Sequence, residues 1–402
     1  MIKSDFKNTE LGILPKDWKI LEIKDFSYPV RGGSPRPAGD PRFFNGNYIP
    51  WLTVAAITKL QDSKMFVEET ENQLTEEGSK FSRILSPGTI VIANSGATLG
   101  VAKILNIRCC ANDGIAALLN IKENVCSKFL VNYLNFKTKY LREIVATGNG
   151  QPNLNTSLIG SLKIPVPPTQ LEQKNITRVI SDFDELIFLI EKMIIKKQNL
   201  KKATMQKILT GNYRLPNFNG TWEIKKLGDH IIKFKKTKRL SSDGKNKGRY
   251  NFFTNSTKPC DKYLDFYDFD MEAIIANTGG EAHFNYYHGK FAVMSDCFVF
   301  KTNLVTQFLY YLLKYYENYI DDICFAGSGI KHLDKKYFGN IEIYVPSDLK
   351  EQKVIAKIFS DMDRELTALE SSRNKIVNLK LAIIQELYAG KTRLIYDEML
   401  DD

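Results

Sequence analysis

The chain has 402 residues, of which 43% are hydrophobic and 25% charged, a composition typical of a packed protein rather than a disordered one. The net charge of +10 favours a polyanionic partner. No Cys-x-x-Cys pair and no apolar run long enough for a signal peptide or a membrane span occurs, so we expect a reduced, cytoplasmic protein without membrane association.

Residues 1–163 predict a first α+β domain with a small curved sheet. Gly88–Ala93 has the β-prone composition of a short strand, and Phe129–Leu134 is typical of a short helix. Arg31, Arg36 and Arg42 lie in and around a Gly- and Pro-rich loop near the start of this region.

Residues 164–211 predict a long helix. Pro167 and Pro168 mark its entrance, because proline is tolerated at a helix start and damaging inside one. Apolar residues then recur at helical spacing, and Gly211 follows them as a C-terminal stop. Roughly 40 residues at about 1.5 Å each give a rod of about 60 Å, a length typical of a coiled coil.

Residues 212–343 predict a second α+β domain. Phe291–Met294 is typical of a strand and Phe308–Leu313 of a short helix. The start of this region is strongly basic, since Lys225–Arg249 contains ten Lys or Arg against two Asp and runs into the aromatic segment Tyr250–Phe253.

Residues 344–402 predict a second long helix and a C-terminal tail, because the sequence from Ile343 repeats that from Ile164 without a gap. Up to Leu215 and Leu394, twenty of 52 aligned positions are identical. The chain is therefore a tandem duplication. Two matching apolar stripes predict an antiparallel coiled coil; the alternative is two ordinary core helices of separate domains. The residues expected between the helices are Ile176, Phe183, Ile190, Leu200, Ile355, Met362, Leu369 and Leu379.

The sequence offers no catalytic or metal site. Its four His lack metal-ligand spacing, and no phosphate-binding glycine motif or amino-methyltransferase motif occurs. Each half instead contains a basic cluster, and cations near Asn, Ser and Thr can hold phosphates and read base edges. Two dissimilar readers at opposite ends of a rod predict a bipartite duplex site with unlike halves.

Five short motifs stand out in the two halves: Gly32-Gly-Ser-Pro35, Gly88-Thr-Ile-Val-Ile-Ala-Asn-Ser-Gly96, Gln151-Pro-Asn-Leu-Asn155, Gly248-Arg-Tyr-Asn-Phe-Phe-Thr-Asn-Ser256 and Ile275-Ala-Asn-Thr-Gly-Gly280. In their order and duplication they resemble the specificity (S) subunit of type I restriction–modification enzymes, and the resemblance covers essentially the whole chain. The second half lacks the Ile49-Pro-Trp51 signature of the first, which favours an asymmetric site.

The resemblance implies a DNA reader without catalytic activity. Residues 1–163 and 212–343 would be target-recognition domains, and the helices in 164–211 and 344–402 would set the half-site spacing and dock two methyltransferase subunits. Restriction (motor) subunits would complete the assembly. The chain itself would bind no cofactor or metal; S-adenosylmethionine, ATP and Mg²⁺ would come with the partners.

Candidate DNA contacts follow from residue type and loop context. In the first half they are Arg31, Ser34, Arg36, Arg42, Trp51, Asn94, Ser95, Asn149 and Gln151. In the second half they are Lys235, Lys236, Lys238, Arg239, Lys245, Lys247, Arg249, Tyr250, Thr254, Asn255, Asn277, Thr278, Ser328, Lys331 and His332.

Two other functions remain open from the sequence. One is a DNA-modifying enzyme in a single chain, which S-adenosylmethionine binding by the isolated chain would reveal. The other is a coiled-coil scaffold whose basic loops bind RNA or protein, which a preference for duplex DNA over single strands would exclude.

Overall fold

The computed structural model describes residues 5–61, 63–96, 98–146, 153–258 and 260–395. The chain divides into two compact units: unit 1 is Met1–Glu191 with Ser371–Asp402, and unit 2 is Lys192–Glu370. This division passes through the middle of both long helices, whereas the boundaries predicted at 163, 211 and 343 follow the ends of the repeat.

Unit 1 is built from short strands and helices. Its strands are β1 (Phe6–Thr9), β2 (Gly12–Pro15), β3 (Lys19–Glu22), β4 (Tyr28–Arg31), β5 (Phe44–Leu52), β6 (Phe66–Val67), β7 (Asn72–Leu74), β8 (Arg83–Leu85), β9 (Ile90–Ala93), β10 (Ala102–Leu105), β11 (Cys109–Ala111), β12 (Ile115–Leu119) and β13 (Lys163–Val166). Its short helices are α1 (Ile23–Phe26), α2 (Val54–Thr58), α3 (Glu76–Ser79), α4 (Ser127–Phe136), α5 (Thr138–Tyr140), a π-helix (Leu141–Val145) and α6 (Thr156–Gly160).

Two small sheets organise unit 1. One has the strand order β4-β12-β9-β10-β6 and the other β7-β5-β11-β8, while β1 pairs with β2 and β3 with β13. All four residues of β9 are buried, which fits its central position and its wholly apolar sequence. The predicted strand at Gly88–Ala93 and the predicted helix at Phe129–Leu134 are confirmed as β9 and part of α4.

The core of unit 1 joins distant parts of the chain. Leu14 and Trp18 from the N-terminal segment pack in one apolar cluster with Ile384, Leu387 and Tyr388 from the end of the second long helix. Burial of these side chains stabilises the unit, because each removes apolar surface from water.

Unit 2 repeats the plan with a larger sheet. Its strands are β14 (Trp222–Lys226), β15 (Ile231–Lys233), β16 (Tyr250–Phe253), β17 (Tyr263–Leu264), β18 (Phe269–Asn277), β19 (Phe284–Val293), β20 (Cys297–Thr302), β21 (Phe325–Ala326), β22 (His332–Leu333) and β23 (Glu342–Pro346). Its α-helices, besides the long ones, are α8 (Thr306–Tyr315), α9 (Glu317–Cys324) and α10 (Lys335–Asn340), with 3-10 turns at Leu227–His230 and Ser241–Asp243.

The six-stranded sheet of unit 2 has the order β15-β20-β18-β19-β16-β17. Strands β14 and β23 pair separately, as do β21 and β22. The predicted strand at Phe291–Met294 lies in β19 except for its last residue, and the predicted helix at Phe308–Leu313 lies in α8. The two-domain α+β fold is therefore confirmed.

The two long helices are continuous and equal in length. Helix α7 spans Gln170–Leu209 and α11 spans Leu349–Tyr388, 40 residues each. Gly211 and Gly390 follow them with φ of 74° and 62°, the left-handed conformation common after helix C-termini. A Cβ on Gly390 would lie 2.4 Å from Pro15 Cγ, so no larger residue fits there without movement.

Within each unit the two helices run antiparallel. In unit 1, Asp184 pairs with Lys380, and Glu191 with Arg373 at 2.7 Å, so numbers rise along α7 as they fall along α11. In unit 2 the pairs Lys197–Glu365 and Lys201–Asp363 follow the same order. The paired arrangement is confirmed, and the alternative of unpaired helices in separate domains is wrong. None of the described helices combines the length and apolarity needed to cross a bilayer.

Candidate nucleic-acid interface

In unit 1, three predicted DNA-contacting side chains converge on the turn at residues 112–114, before β12. Arg31 Nε donates to the carbonyl O of Asp113 at 2.7 Å, and the Ser34 hydroxyl donates to Asp113 Oδ1 at 2.8 Å. Arg36 Nη2 forms an ion pair with Asp113 Oδ2 at 3.0 Å. Burial alone would raise the pKa of Asp113, but the Ser34 hydrogen bond and the charges of Arg36 and Arg31 hold that pKa below its ordinary value.

The end of β9 lies against the same turn. The backbone N of Asn94 donates to the carbonyl O of Gly114 at 3.0 Å, and its Nδ2 donates to the carbonyl O of Asp113 at 3.4 Å. Asn94 Oδ1 is buried and accepts no hydrogen bond from the described residues. Ser95 forms an isolated bridge with Asn153. We call this group surface 1; it comprises Arg31, Ser34, Arg36, Asn94, Ser95 and Asp113.

Other predicted residues of unit 1 lie elsewhere. Arg42 makes its ion pair with Asp40, at 2.7 Å, rather than with the turn of surface 1. Trp51 was expected to contact DNA, but it is 6% exposed and packs edge-on against Phe44. The reason is that Trp51 lies in a small apolar cluster with Ile49, Leu74 and Cys110, contributed by β5 and its neighbours β7 and β11. The predicted contacts Asn149 and Gln151 lie outside the described residues.

Unit 2 contains an equivalent turn before β20. The backbone N and the hydroxyl of Thr278 both donate to the carbonyl O of Asp296, at 3.0 Å and 2.6 Å. The loop after β15 crosses this turn, because the backbone N of Ser295 donates to the carbonyl O of Arg239 at 2.8 Å. A loop, a strand end and an Asp-containing turn therefore meet in unit 2 as they do in unit 1.

Further predicted residues gather around Thr278. Asn277 Nδ2 donates to the carbonyl O of Asn255 at 2.9 Å, and Asn255 Oδ1 accepts from the backbone N of Thr278 at 3.4 Å. His332 Nδ1 lies 3.3 Å from the carbonyl O of Thr278. Asn277, like Asn94, is buried, with an Oδ1 that accepts nothing from the described residues. We call this group surface 2; it comprises Asn255, Asn277, Thr278, Asp296, Lys331 and His332.

Thr254 and Ser328 lie in the loops that lead into surface 2. Thr254 immediately precedes Asn255, and Ser328 is exposed in the loop that leads to Lys331. The Lys331 ammonium pairs with Asp321 at 2.8 Å, and the hydrogen bond to that carboxylate raises the pKa of Lys331.

The loop after β15 contributes unpaired positive charge. Lys235, Lys236 and Lys238 are exposed, and they form no ion pair with another described residue. Lys335, which opens α10, was missed by the sequence analysis. Burial, followed by repulsion from Lys236 and Lys233, lowers its pKa. A bound anion would relieve that repulsion.

Arg239 was expected to contact DNA, but its guanidinium is engaged within unit 2. It makes hydrogen bonds of 2.6 to 3.0 Å to the Asp268 carboxylate and stacks over Phe266, 4.1 Å from the ring centroid. The hydrogen bond to Asp268 raises the pKa of Arg239. The same hydrogen bonds anchor the loop after β15 to the segment that precedes β18.

A second basic cluster lies away from surface 2. Lys245, Lys247, Arg249 and Tyr250 precede or open β16, whereas Asn255 follows the other end of that strand. Lys245 pairs with Asp265 at 3.3 Å, and the ring of Tyr250 contacts that of Tyr267. The structure does not bring this cluster together with Thr278.

The predicted helix-pairing residues fall into three groups. Ile176 and Ile355 are fully buried in the domain cores, because the first turns of the helices dock onto the sheets and short helices. Ile190 is 9% exposed, and Phe183, Met362 and Leu369 are half-buried. Leu200 and Leu379, at equivalent repeat positions, were expected in the contact but are each 51% exposed. About half of each of these two side chains is therefore open to solvent.

Two carboxylates of the surfaces were also missed. Asp113 lies two residues before β12, in the sequence Asn-Asp-Gly, and Asp296 lies immediately before β20, in the sequence Ser-Asp-Cys. That repeated position was a usable signal, although acidic residues are usually discounted in a search for DNA contacts. Within the described ranges, no group of three or more His, Cys, Asp or Glu residues could hold a metal ion.

Known proteins share this architecture and sequence pattern. The family model "Type I restriction modification DNA specificity domain" matches residues 15–199 and 219–379. The putative type I restriction enzyme MjaX specificity subunit of Methanocaldococcus jannaschii is 26% identical over 423 residues, which cover 98% of this chain and 97% of that protein.

Two solved structures have the same fold. The crystal structure of the type I restriction–modification S subunit from M. genitalium matches with a TM-score of 0.62 at 14% identity, covering 92% of this chain and 96% of that one. A chain solved in work on complex assembly and conformational transition of the type I R-M system matches with a TM-score of 0.60 at 16% identity, covering 94% and 99%. Because the family model spans most of both halves, this chain belongs to the type I restriction–modification DNA specificity family and is a type I specificity subunit.

Proposed function

We propose that this specificity subunit recognises an asymmetric, bipartite site in double-stranded DNA and has no catalytic activity of its own. The observation that carries the proposal is the pair of equivalent surfaces 1 and 2, one in each unit, at the same position relative to the central strands. Their side chains differ, so each surface would read its own half-site.

Positive charge in unit 2 supports binding to the phosphate backbone of a nucleic acid. Lys335 lies close enough to Lys236 and Lys233 for their charges to lower its pKa. A DNA phosphate would offset this repulsion, and cationic contacts of this kind make affinity fall as salt concentration rises.

We further propose that α7 and α11 fix the spacing between half-sites and dock two methyltransferase subunits. Their length and continuity support the first role. Exposed apolar side chains on α7 support the second: Leu186 and Leu189 in unit 1, and Met193 and Ile195 in unit 2, are each 43–58% exposed. Restriction (motor) subunits would bind the same assembly. S-adenosylmethionine, ATP and Mg²⁺ would enter with these partners, and the chain itself would bind none of them.

The test combines the chain with its methyltransferase partner and a pool of duplexes of random sequence. Mapping the methylated adenines should reveal two unlike half-sites separated by a fixed spacer. Affinity should fall steeply with salt, and duplex should be preferred to single strands. Preference for RNA would favour the scaffold alternative, and S-adenosylmethionine binding by the isolated chain would favour a one-chain enzyme.

The spacing role has a separate test. Seven residues, or about two helical turns, inserted into both α7 and α11 should lengthen the spacer and leave both half-site sequences unchanged. Altered half-site sequences would contradict the division between readers and helices.

A further inference from the structure

The equivalent carboxylates of the two surfaces have different partners. Asp113 is held by Ser34 and Arg36, whereas the Asp296 side chain is exposed and accepts only a long hydrogen bond, 3.4 Å, from the Ser295 hydroxyl. Among the described residues, no Lys, Arg or His lies within ion-pairing distance of Asp296. Unit 1 therefore presents a neutralised carboxylate, and unit 2 presents a free one.

We infer that Asp296 is a specificity-determining residue that accepts a hydrogen bond from the exocyclic amino group of a base in the second half-site. Asp113 has a different role, because it positions Arg36, and the arginine would then contact the DNA. This inference rests on the proposed DNA-binding function. It adds the type of side chain that would contact the DNA in each half-site, a carboxylate in unit 2 and an arginine in unit 1.

Electrostatics favours a reading role over backbone binding. A carboxylate repels phosphates, so Asp296 cannot aid the non-specific attraction to which the exposed Lys235, Lys236 and Lys238 contribute. Carboxylates do accept hydrogen bonds from cytosine N4 in the major groove, and each well-placed base contact discriminates against other bases. Cytosine is therefore the base that Asp296 would select.

The fold leaves the Asp296 side chain free for this task. The structural contact at this turn is made by its backbone, since the carbonyl O accepts from both the backbone N and the hydroxyl of Thr278. Substitution of the side chain therefore preserves these bonds. The same substitution at Asp113 would break the contacts that hold Ser34 and Arg36.

The variants Asp296→Ala and Asp296→Asn distinguish a base contact by Asp296 from a simple effect of its negative charge. Both remove the negative charge, but Ala has no acceptor, whereas Asn can pair bidentately with adenine. The full chain with its methyltransferase partner is used to select sites from duplexes of random sequence. We expect Asp296→Ala to lose about tenfold discrimination at one base pair of the second half-site, and Asp296→Asn to shift that position towards adenine.

Asp270→Ala is the matched control. Asp270 is exposed near the start of β18, roughly 20 Å along the strand from Asn277, at about 3.3 Å per residue. This variant also removes one negative charge, and it should leave the selected sequence unchanged.

Three outcomes are distinguishable. An altered preference at one position of the second half-site, with the first half-site unchanged, supports the inference. Identical selected sequences for wild type, Asp296→Ala and Asp296→Asn would overturn it while leaving DNA recognition intact. A wild-type chain that selects no duplex sequence and has no salt-dependent DNA affinity would contradict the proposed function itself.

Discussion

The two units anchor the first turns of their long helices through equivalent buried glutamates. In unit 1, Glu172 accepts from Arg393 Nε at 2.5 Å and Nη2 at 2.9 Å, and the same arginine pairs with Asp17 at 2.8 Å. The Glu172 side chain is fully buried, and the Arg393 side chain is only 11% exposed.

In unit 2 the pair is repeated with different neighbours. Glu351 accepts from Arg214 Nε at 3.1 Å and Nη2 at 3.0 Å, and also from the indole Nε1 of Trp222 at 3.2 Å. In unit 1 the corresponding indole Nε1, of Trp18, is buried and donates to no described acceptor. The duplication thus preserved the ion pair but not its surroundings. Among the described residues, the only side chain that donates to the Glu172 carboxylate is Arg393.

The largest difference between the units should appear when the arginines are removed. Arg393→Met should lower the free energy of unfolding by about 3–5 kcal/mol, because it leaves Glu172 buried without its partner. Arg214→Met should cost about 1–2 kcal/mol less, since Glu351 keeps the Trp222 donor. Urea unfolding, with hydrogen exchange to report on each unit, measures both. Equal losses would show that the indole contributes nothing.

Replacing the two tryptophans tests the same difference in hydrogen bonding around the buried glutamates. Trp222→Phe should destabilise more than Trp18→Phe by about 1.5–3 kcal/mol, because only Trp222 donates to a buried carboxylate. Both changes remove the same ring atoms, so each is the control for the other in thermal unfolding. A larger loss for Trp18→Phe would mean that Trp18 donates to a partner that the described residues do not include.

A smaller difference in stability should appear between the ion pairs that join α7 and α11 in the two units. Asp363 accepts from Lys201 and also from the Tyr311 hydroxyl at 2.8 Å, whereas Asp184 pairs with Lys380. Lys380→Met should therefore cost about 1 kcal/mol more than Lys201→Met, since the remaining aspartate keeps a donor only in unit 2. Urea midpoints of the two variants measure the difference, and the opposite order would contradict the argument.

The smallest effect concerns DNA affinity. Lys335 has Thr156 as its repeat equivalent, so the phosphate contact proposed for unit 2 has no cation at that position in unit 1. Lys335→Gln should reduce the slope of log affinity against log salt by about 1. Thr156→Lys should steepen it, and titrations of duplex binding at several salt concentrations measure both. An unchanged slope in Lys335→Gln would exclude a phosphate contact.

Titration of Lys335 should also make DNA affinity depend on pH. Burial and the charges of Lys236 and Lys233 place its pKa below the ordinary lysine value, so it loses its proton at lower pH than an exposed lysine does. Because only the charged form attracts phosphate, DNA affinity should fall as pH rises towards the lysine range. Lys335→Arg should remove this loss, since arginine stays charged. If DNA affinity depends on pH in the same way in wild type and Lys335→Arg, Lys335 does not cause the pH dependence.

The long helices could be predicted because their signals are local and repeated. Proline entrances, the apolar period and the terminal glycines appear twice at one offset, and each is a property of a few neighbouring residues. Exposure of Leu200 and Leu379 was not predictable, because a 3.6-residue period gives the apolar face of a helix but not how far along it a partner covers that face.

The candidate surfaces were predictable only as residue types in loops. Burial of Trp51 depends on which strands flank β5, and the capture of Arg239 depends on Asp268, 29 residues away. Neither pairing leaves a signal in the local sequence. The turn carboxylates were within reach of the repeat comparison, but their different partners, Arg36 in one unit and none among the described residues in the other, follow from tertiary contacts.

The shared cluster of Leu14 and Trp18 with Ile384, Leu387 and Tyr388 has a consequence for biosynthesis. A ribosome finishes every residue of unit 2 before it reaches Ser371, whereas unit 1 waits for the last part of α11 to emerge. During that interval the N-terminal half exposes apolar surface that only the late segment can cover. We therefore expect nascent chains in which residues up to about 370 have left the ribosome to contain a folded central unit and to need chaperone protection at their N-terminal half.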